Sequence, residues 1–136
     1  MINDEKFQEE MQKINIEIIC VCLTIICSLL YLLIYYKERA TLIDEQYGTN
    51  FQKKYPNTTN YSKIIVIIFT ITNSIFLYYA YIDLKNSITK YKKTGNDTGL
   101  DSSYNSFYAN LLQFTGTLIV LYNVFVNEDS SVSALF

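Results

Sequence analysis

Three long stretches without a charged residue constrain this chain more than any other feature. Residues 18–36 and 64–82 each contain 19 uncharged positions, and residues 102–127 contain 26. A helix rises about 1.5 Å per residue, so about 20 residues match the ~30 Å hydrocarbon core of a bilayer. In hydrocarbon the backbone must bond to itself, which favours helices over strands for runs of this length. The sequence therefore predicts an all-α integral membrane protein with three transmembrane helices.

The alternative interpretation is a soluble protein with three buried helices. Core helices are usually amphipathic, with a single apolar face. Half of the 136 residues are apolar, and three uniformly apolar runs leave too few polar residues to cover them. Tyrosine clusters at the ends of the runs also favour the membrane, because tyrosine prefers the headgroup interface. We therefore prefer the membrane interpretation.

The chain is predicted to form a single membrane unit with short helical extensions outside the bilayer. Gly48 and Gly95 are typical helix stops, and Asp101 or Ser102 is the predicted N-cap of the third helix. The predicted segments are an amphipathic N-terminal helix (1–17), the first span (18–36), a helical extension and loop (37–62), the second span (64–82), a helical extension and turn (83–103), the third span (104–127) and an acidic tail (128–136).

The composition narrows the functional classes. The chain has no histidine, which is the commonest general base and metal ligand, and it carries no catalytic or cofactor-binding motif. We therefore expect no enzyme, no metal and no cofactor. The net charge of −2 gives no electrostatic case for nucleic acid. The expected partners are the lipid bilayer and either the chain itself or another membrane protein.

The residue bias and the positive charges bear on location. Abundant Ile, Asn, Tyr and Lys are typical of AT-rich genomes, and we expect a bacterial plasma membrane, with a viral source as the alternative.

Six Lys or Arg residues fall on the side of the N-terminus and second loop, and five fall on the other side. This difference alone decides nothing. The flanks of the second and third spans favour a cytoplasmic second loop, whereas those of the first span favour the reverse, and we expect a cytoplasmic N-terminus and an external C-terminus.

Each span carries polar or small residues at intervals of three or four, which places them on one helix face. Such groups are costly in hydrocarbon unless a neighbouring helix or water satisfies them. They are therefore the candidate site residues, either as helix-packing seams or as the lining of a pore. The candidates are Glu17, Cys20, Thr24 and Ser28 beside or within the first span, Thr70, Asn73 and Ser74 in the second, and Asn110, Gln113 and Thr117 in the third.

Two features near the first span have competing interpretations. Glu17 is either an intramembrane acid, which is a functional candidate by default, or a hydrated charge one residue outside the apolar run. Cys20 and Cys22 point to different sides of a helix, which argues against a disulfide or a shared metal site. We therefore interpret Cys20, Cys22 and Cys27 as small packing residues.

The function is expected to lie in the spans themselves. The first hypothesis is a membrane subunit that acts through helix–helix assembly in a homo- or hetero-oligomeric complex. The alternative is a homo-oligomeric pore that alters permeability, as holins and membrane effectors of phage defence do. In size and number of spans the chain resembles a three-span holin, although its acidic tail departs from the basic stretch typical of that group.

Overall fold

The computed structural model describes residues 3–127, so the predicted acidic tail at 128–136 lies outside the described residues. Three helices dominate the described chain: α1 (Asp4–Tyr47), α2 (Tyr61–Thr94) and α3 (Leu100–Val126). Residues 3–127 contain no strand, which confirms the all-α prediction. Each of the three helices is long and apolar enough to cross a membrane, as judged by length and composition.

The first helix joins three predicted segments without interruption. It has 44 residues, which corresponds to about 66 Å, roughly twice the hydrocarbon thickness of a bilayer. Asp4 and Glu5 lie in its first turn, where carboxylates interact favourably with the helix dipole. The helix therefore has to extend beyond any bilayer that its apolar part crosses.

Two glycines end helices at the predicted places. Gly48 follows α1 with a φ of 68°, and its N–H donates to the carbonyl of Asp44 at 2.8 Å. Gly95 follows α2 with a φ of 67°, and its N–H donates to the carbonyl of Tyr91 at 2.8 Å. Left-handed φ values carry little steric cost in glycine, so both positions suit it. Both predicted stops are confirmed.

The connection between α1 and α2 is more regular than the predicted loop. It contains a short 3₁₀ helix, Phe51–Lys54, and α2 begins at Tyr61. Just before α2, the Asn57 side-chain oxygen accepts hydrogen bonds from the N–H and the hydroxyl of Thr59, at 3.0 and 2.6 Å. Asn commonly forms such turns, because its side chain mimics a backbone acceptor.

The prediction of Asp101 or Ser102 as the N-cap of the third helix is wrong. The cap is Gly99, with a φ of 82°, and the helix begins at Leu100. The N–H of Leu100 donates to the carbonyl of Asp97 at 2.9 Å, which closes a turn ahead of Asp101. Asp101 instead lies in the first helical turn, where its charge is favourable without side-chain capping.

The chain divides into two compact units, with the boundary inside α2 between Ile68 and Phe69. The first unit contains α1, the connection and the start of α2, where Ile65 and Val66 are fully buried. The second unit contains the remainder of α2 and α3. That the whole chain acts as a single membrane unit stays a prediction.

In the first unit, α1 buries two different faces. Cys20, Cys27 and Ile34 are buried and lie seven residues apart, which is the repeat of a coiled-coil seam. Ala40 and Asp44 are also buried, but at 100° per residue they lie roughly a third of a turn around the helix from that seam. The second face lies beside the connection that contains the 3₁₀ helix.

Candidate functional site

In the second unit, α2 and α3 run antiparallel and are joined by side-chain hydrogen bonds. The Asn73 Nδ2 donates to the Thr117 Oγ1 at 2.6 Å, and the hydroxyl oxygens of Ser87 and Ser103 are 2.7 Å apart. From the first contact to the second, α2 advances by fourteen residues and α3 returns by fourteen. Fourteen residues are two heptads, so the two helices stay in register along this length.

The side of α3 that meets α2 repeats every three or four residues. Between the two hydrogen bonds, the Phe107 ring lies 6.4 Å from the Tyr81 ring, centroid to centroid. This alternation of threes and fours is the pattern of the packed positions in a helix pair. The half-buried or buried residues in this pattern are Ser103, Phe107, Asn110, Phe114, Thr117, Leu121 and Val124.

Asn73 and Thr117 are the two candidate residues that the structure brings together from different helices. Asn73 is buried, and the Thr117 hydroxyl that accepts its amide proton donates onward to the carbonyl of Gln113 at 2.9 Å. The Asn73 amide and the Thr117 hydroxyl therefore each have an acceptor. Thr72 is buried beside Asn73 and donates to the carbonyl of Phe69 at 3.2 Å; it lay outside the predicted stripe.

Most of the other candidates in α2 and α3 donate hydrogen bonds to carbonyls of their own helix. The exposed Ser74 hydroxyl donates to the carbonyl of Ile71 at 2.7 Å, and Thr70 is half-buried. The half-buried Asn110 amide donates to the carbonyl of Ser106 at 2.8 Å. Hydrogen bonds to the preceding turn let polar groups remain in an apolar helix without a neighbour.

In the first span, Cys20, Thr24 and Ser28 follow one another at a spacing of four, and this row of residues turns away from the buried face. The Thr24 hydroxyl donates to the carbonyl of Cys20 at 2.9 Å, and the exposed Ser28 hydroxyl donates to that of Thr24 at 3.0 Å. A step of four residues advances the face by about 40°, whereas a step of seven drifts by about 20° in the other direction. The buried seam therefore follows Cys27 instead, and Glu17 is half-buried at its start.

The three cysteines differ in exposure. Cys20 and Cys27 are buried, as the interpretation of packing residues predicts. Cys22 is exposed, so its interpretation as a packing residue stays a prediction. All three are free thiols.

One flank of α3 combines an exposed amide with small residues. Gln113 is exposed and is the middle residue of α3. Ser106, Ala109 and Gly116 are exposed and fall within about 60° of it around the helix. A methyl group added at Gly116 would meet nothing within 4 Å, so this surface is open. We call these four residues the Gln113 flank.

The structure also contains a polar centre that no pattern in the sequence predicts. The buried Asp44 carboxylate accepts hydrogen bonds from the Phe51 N–H at 2.7 Å, the Gln52 N–H at 2.9 Å and the Thr49 hydroxyl. Burial raises the pKa of Asp44, but these hydrogen bonds outweigh it, and the pKa lies below its ordinary value. Asp44 lies inside α1, six residues before the N-cap position Asn50 of the 3₁₀ helix, so no N-cap pattern in the sequence marks it. We call this arrangement the Asp44 clasp.

Neither chemistry nor resemblance assigns a further site. Among residues 3–127, no group of three or more His, Cys, Asp or Glu side chains is arranged to hold a metal ion. Comparison of the chain with protein-family models, curated proteins and solved structures finds no match. The geometry of the helices is therefore the basis for inferring a function.

Proposed function

We propose that this chain is a subunit of a membrane complex and that it assembles through the Gln113 flank of α3. The observation that carries this proposal is the exposed amide of Gln113 at the middle of an apolar helix. A glutamine amide has two donor protons and an acceptor oxygen. In the bilayer core an unsatisfied polar group costs several kcal/mol, so a surface of this kind favours a partner that supplies hydrogen bonds.

The neighbours of Gln113 support close approach of a second helix. Ala109 and Gly116 are small, and association in membranes depends on small residues that let backbones come together. In the most apolar 18-residue stretch of each helix, 6% of the residues are buried in α3, against 17% in α1 and 28% in α2. The helix with the least internal packing is thus the one that carries the exposed amide.

The proposal places all three helices across a bacterial plasma membrane, with the N-terminus in the cytoplasm. Length and apolar composition support the spanning, and the lysines that flank the second and third spans support the orientation. The assembly is homo-oligomeric in its simplest form. A different membrane protein with a complementary amide or hydroxyl face is the hetero-oligomeric form.

The mass of the purified protein in detergent, measured by light scattering with a correction for bound detergent, tests self-assembly. We expect a discrete oligomer for the unmodified chain. The Gln113→Leu variant should raise the dissociation constant about fivefold, because interhelical hydrogen bonds in membranes contribute about 1 kcal/mol. A monomer at every protein concentration would contradict the homo-oligomeric form.

The matched control is Thr115→Val, which also removes a polar group from α3. Thr115 lies about 200° around the helix from Gln113, and its hydroxyl donates to the carbonyl of Leu111 at 2.8 Å. We expect this variant to assemble like the unmodified chain. Equal losses in the two variants would place the interface elsewhere.

A pore is the second candidate, favoured by further exposed polar residues on α3. Ser102, Asn105 and Ser106 are exposed in the turns before Gln113, and uncharged linings of this kind can conduct. Dye release from vesicles separates the two functions. Release that Gln113→Leu abolishes supports the pore, whereas an oligomer in tight vesicles supports assembly alone. Asn110→Leu and Thr117→Leu are weaker tests, because both residues lie in the seam with α2.

A further inference from the structure

A cavity of about 340 Å³ lies in the first unit, between the C-terminal part of α1 and the segment that contains the 3₁₀ helix. It combines cationic, phenolic and apolar side chains, and none of its lining residues is acidic. The lining includes Tyr36, Arg39, Ile43, Phe51, Lys54 and Tyr55. The charge of this cavity calls for an anionic ligand, and its apolar wall calls for a ligand that is not fully hydrated.

We propose that this cavity binds the phosphate of an anionic lipid headgroup. Arg39 and Lys54 hold the phosphate, and Tyr36, the lining residue nearest the uncharged run, contacts the glycerol and upper acyl carbons. The inference rests on the membrane location in the proposed function and is independent of assembly through α3.

The two cations come from different elements and offer complementary chemistry. Arg39, on α1, carries a planar guanidinium that can donate two parallel hydrogen bonds to a phosphate. Lys54, in the 3₁₀ helix, adds a compact point charge, and its Nζ lies 5.2 Å from the centre of the Phe51 ring. The Tyr36 and Tyr55 phenols also line the cavity and add donors.

The position along α1 favours a lipid over a free anion. Tyr36 is the last residue of the first uncharged run, and Arg39 follows it by three residues, or about 4.5 Å of helix. A headgroup region adds roughly 5–8 Å to each side of the hydrocarbon core. Arg39 therefore falls at phosphate depth when residues 18–36 cross the bilayer, while Ile43, about 10.5 Å beyond Tyr36, lies outside that region.

The wall opposite α1 is held in place by side-chain hydrogen bonds. The Asp44 clasp fixes the start of the 3₁₀ helix, and the Thr41 hydroxyl shares its proton between the carbonyl of Lys37 at 3.0 Å and the Gln52 side-chain oxygen at 3.3 Å. Beyond the 3₁₀ helix, the Lys37 Nζ donates to the carbonyl of Pro56 at 3.0 Å. Lys54 thus lies on a segment that is tied to α1 on both sides, which reduces the entropy lost on binding.

Lipid retention tests the proposal on the full chain. The protein is reconstituted in phosphatidylcholine vesicles that contain a minor fraction of phosphatidylglycerol, and flotation establishes that it is in the membrane. It is then released in mild detergent, and native mass spectrometry counts the bound lipids. We expect the unmodified chain to retain phosphatidylglycerol, and the Arg39→Gln/Lys54→Gln variant to lose that preference roughly tenfold.

The matched control removes the same charge elsewhere. The Lys90→Gln/Lys92→Gln variant alters two exposed lysines of α2 and should keep the preference for phosphatidylglycerol. Equal losses in both double variants would mean general attraction to an anionic surface and would overturn the site. Retention of inorganic phosphate in place of lipid, with loss of bound phosphatidylglycerol, would assign the cavity to a free anion and overturn the lipid assignment.

Two readouts keep the failures distinct. A chain that does not float with the vesicles contradicts the membrane location, whereas one that floats without lipid preference contradicts only the lipid site. The single variant Lys54→Gln guards against loss of structure, because Lys54 is exposed and contributes nothing to the Asp44 clasp. With helicity unchanged by circular dichroism, it should still lower the preference, and an unchanged preference would contradict the role of Lys54.

Discussion

Asp44 and Gln113 are polar side chains on two long helices, and their surroundings are opposite. Asp44 is buried, and its carboxylate accepts two backbone N–H groups and a hydroxyl from the connection after α1. Gln113 is exposed at the middle of α3, with open space around the nearby Gly116. The first residue organises its own chain, and the second is the residue through which we propose that the chain assembles.

The difference teaches how a polar residue in an apolar helix can be interpreted. A buried group that its own chain satisfies is explained by folding, since leaving it unpaired would cost about 1–3 kcal/mol or more. An exposed amide at mid-helix has no such explanation when the surrounding medium is hydrocarbon. Exposure, more than residue type, therefore separates the structural candidates from the candidates for assembly.

The largest expected effect follows from removal of the Asp44 carboxylate. Asp44→Ala removes the acceptor of the Phe51 and Gln52 N–H groups, so the 3₁₀ helix should open more often. Trypsin cleavage after Lys53 or Lys54 should become faster by about tenfold, since hydrogen bonds to a charged acceptor are among the strong ones. Limited proteolysis followed by mass spectrometry measures the rate.

The control for that experiment is Glu45→Ala, which removes the neighbouring exposed acid. Its cleavage rate should match that of the unmodified chain. If the Asp44→Ala and Glu45→Ala variants are cut equally fast, the clasp does not hold the connection.

The next effect sharpens the comparison by testing a polar pair that is satisfied between helices. A double-mutant cycle of Asn73→Leu and Thr117→Val should give a coupling energy of about 1 kcal/mol in unfolding from mixed micelles. The pairing of Ser74→Ala with Thr117→Val should give none, because Ser74 bonds to its own helix. Additive effects of Asn73→Leu and Thr117→Val would contradict the interhelical hydrogen bond.

A smaller effect probes the open surface beside Gln113. Gly116→Ala should stabilise the isolated chain by up to about 1 kcal/mol, because alanine favours helix and its methyl group meets nothing here. The same change should weaken assembly if a second helix approaches at this position. Unfolding and light scattering on one sample measure both. A stabilised chain that assembles normally would exclude Gly116 from the interface.

The smallest effect concerns the titration of Asp44. Its pKa is lowered in the folded chain, so the clasp contributes full stability above the ordinary aspartate value of about 3.9. That contribution is lost as the pH falls through the lowered pKa. The amide shifts of Phe51 and Gln52 should therefore titrate together with a midpoint below about 3.9, and Asp44→Asn should abolish the step. A midpoint at or above 3.9 would contradict the hydrogen-bonded carboxylate.

Much of the helical architecture follows from local signals. Uncharged runs long enough for a bilayer identify the three helices, and Gly48 and Gly95 mark two of their ends. These signals act within a few residues, which is why they can be interpreted from the sequence. The start of α3 was mispredicted, because aspartate is favourable both as a cap and inside the first turn, and local sequence does not separate the two positions.

The functional faces were harder to predict for a physical reason. In a uniformly apolar run the hydrophobic pattern has no polar side, so it does not show which residues are buried. A spacing of four suggested Cys20, Thr24 and Ser28, whereas the buried seam follows Cys27 and Ile34 at a spacing of seven. Small polar residues that bond to their own helix keep their hydrogen bonds whether they lie on the buried face or on the exposed face.

The sequence by itself determined that this chain forms three long apolar helices, where two of them end, and which residues are polar within them. The tertiary structure alone decided that Asn73 meets Thr117, that Asp44 is buried in a clasp and that Gln113 stays exposed. Helix formation depends on neighbours within a turn, and these residues are close together in the sequence. The partner of a side chain depends on helix rotation and register, which the packing of all the side chains sets together.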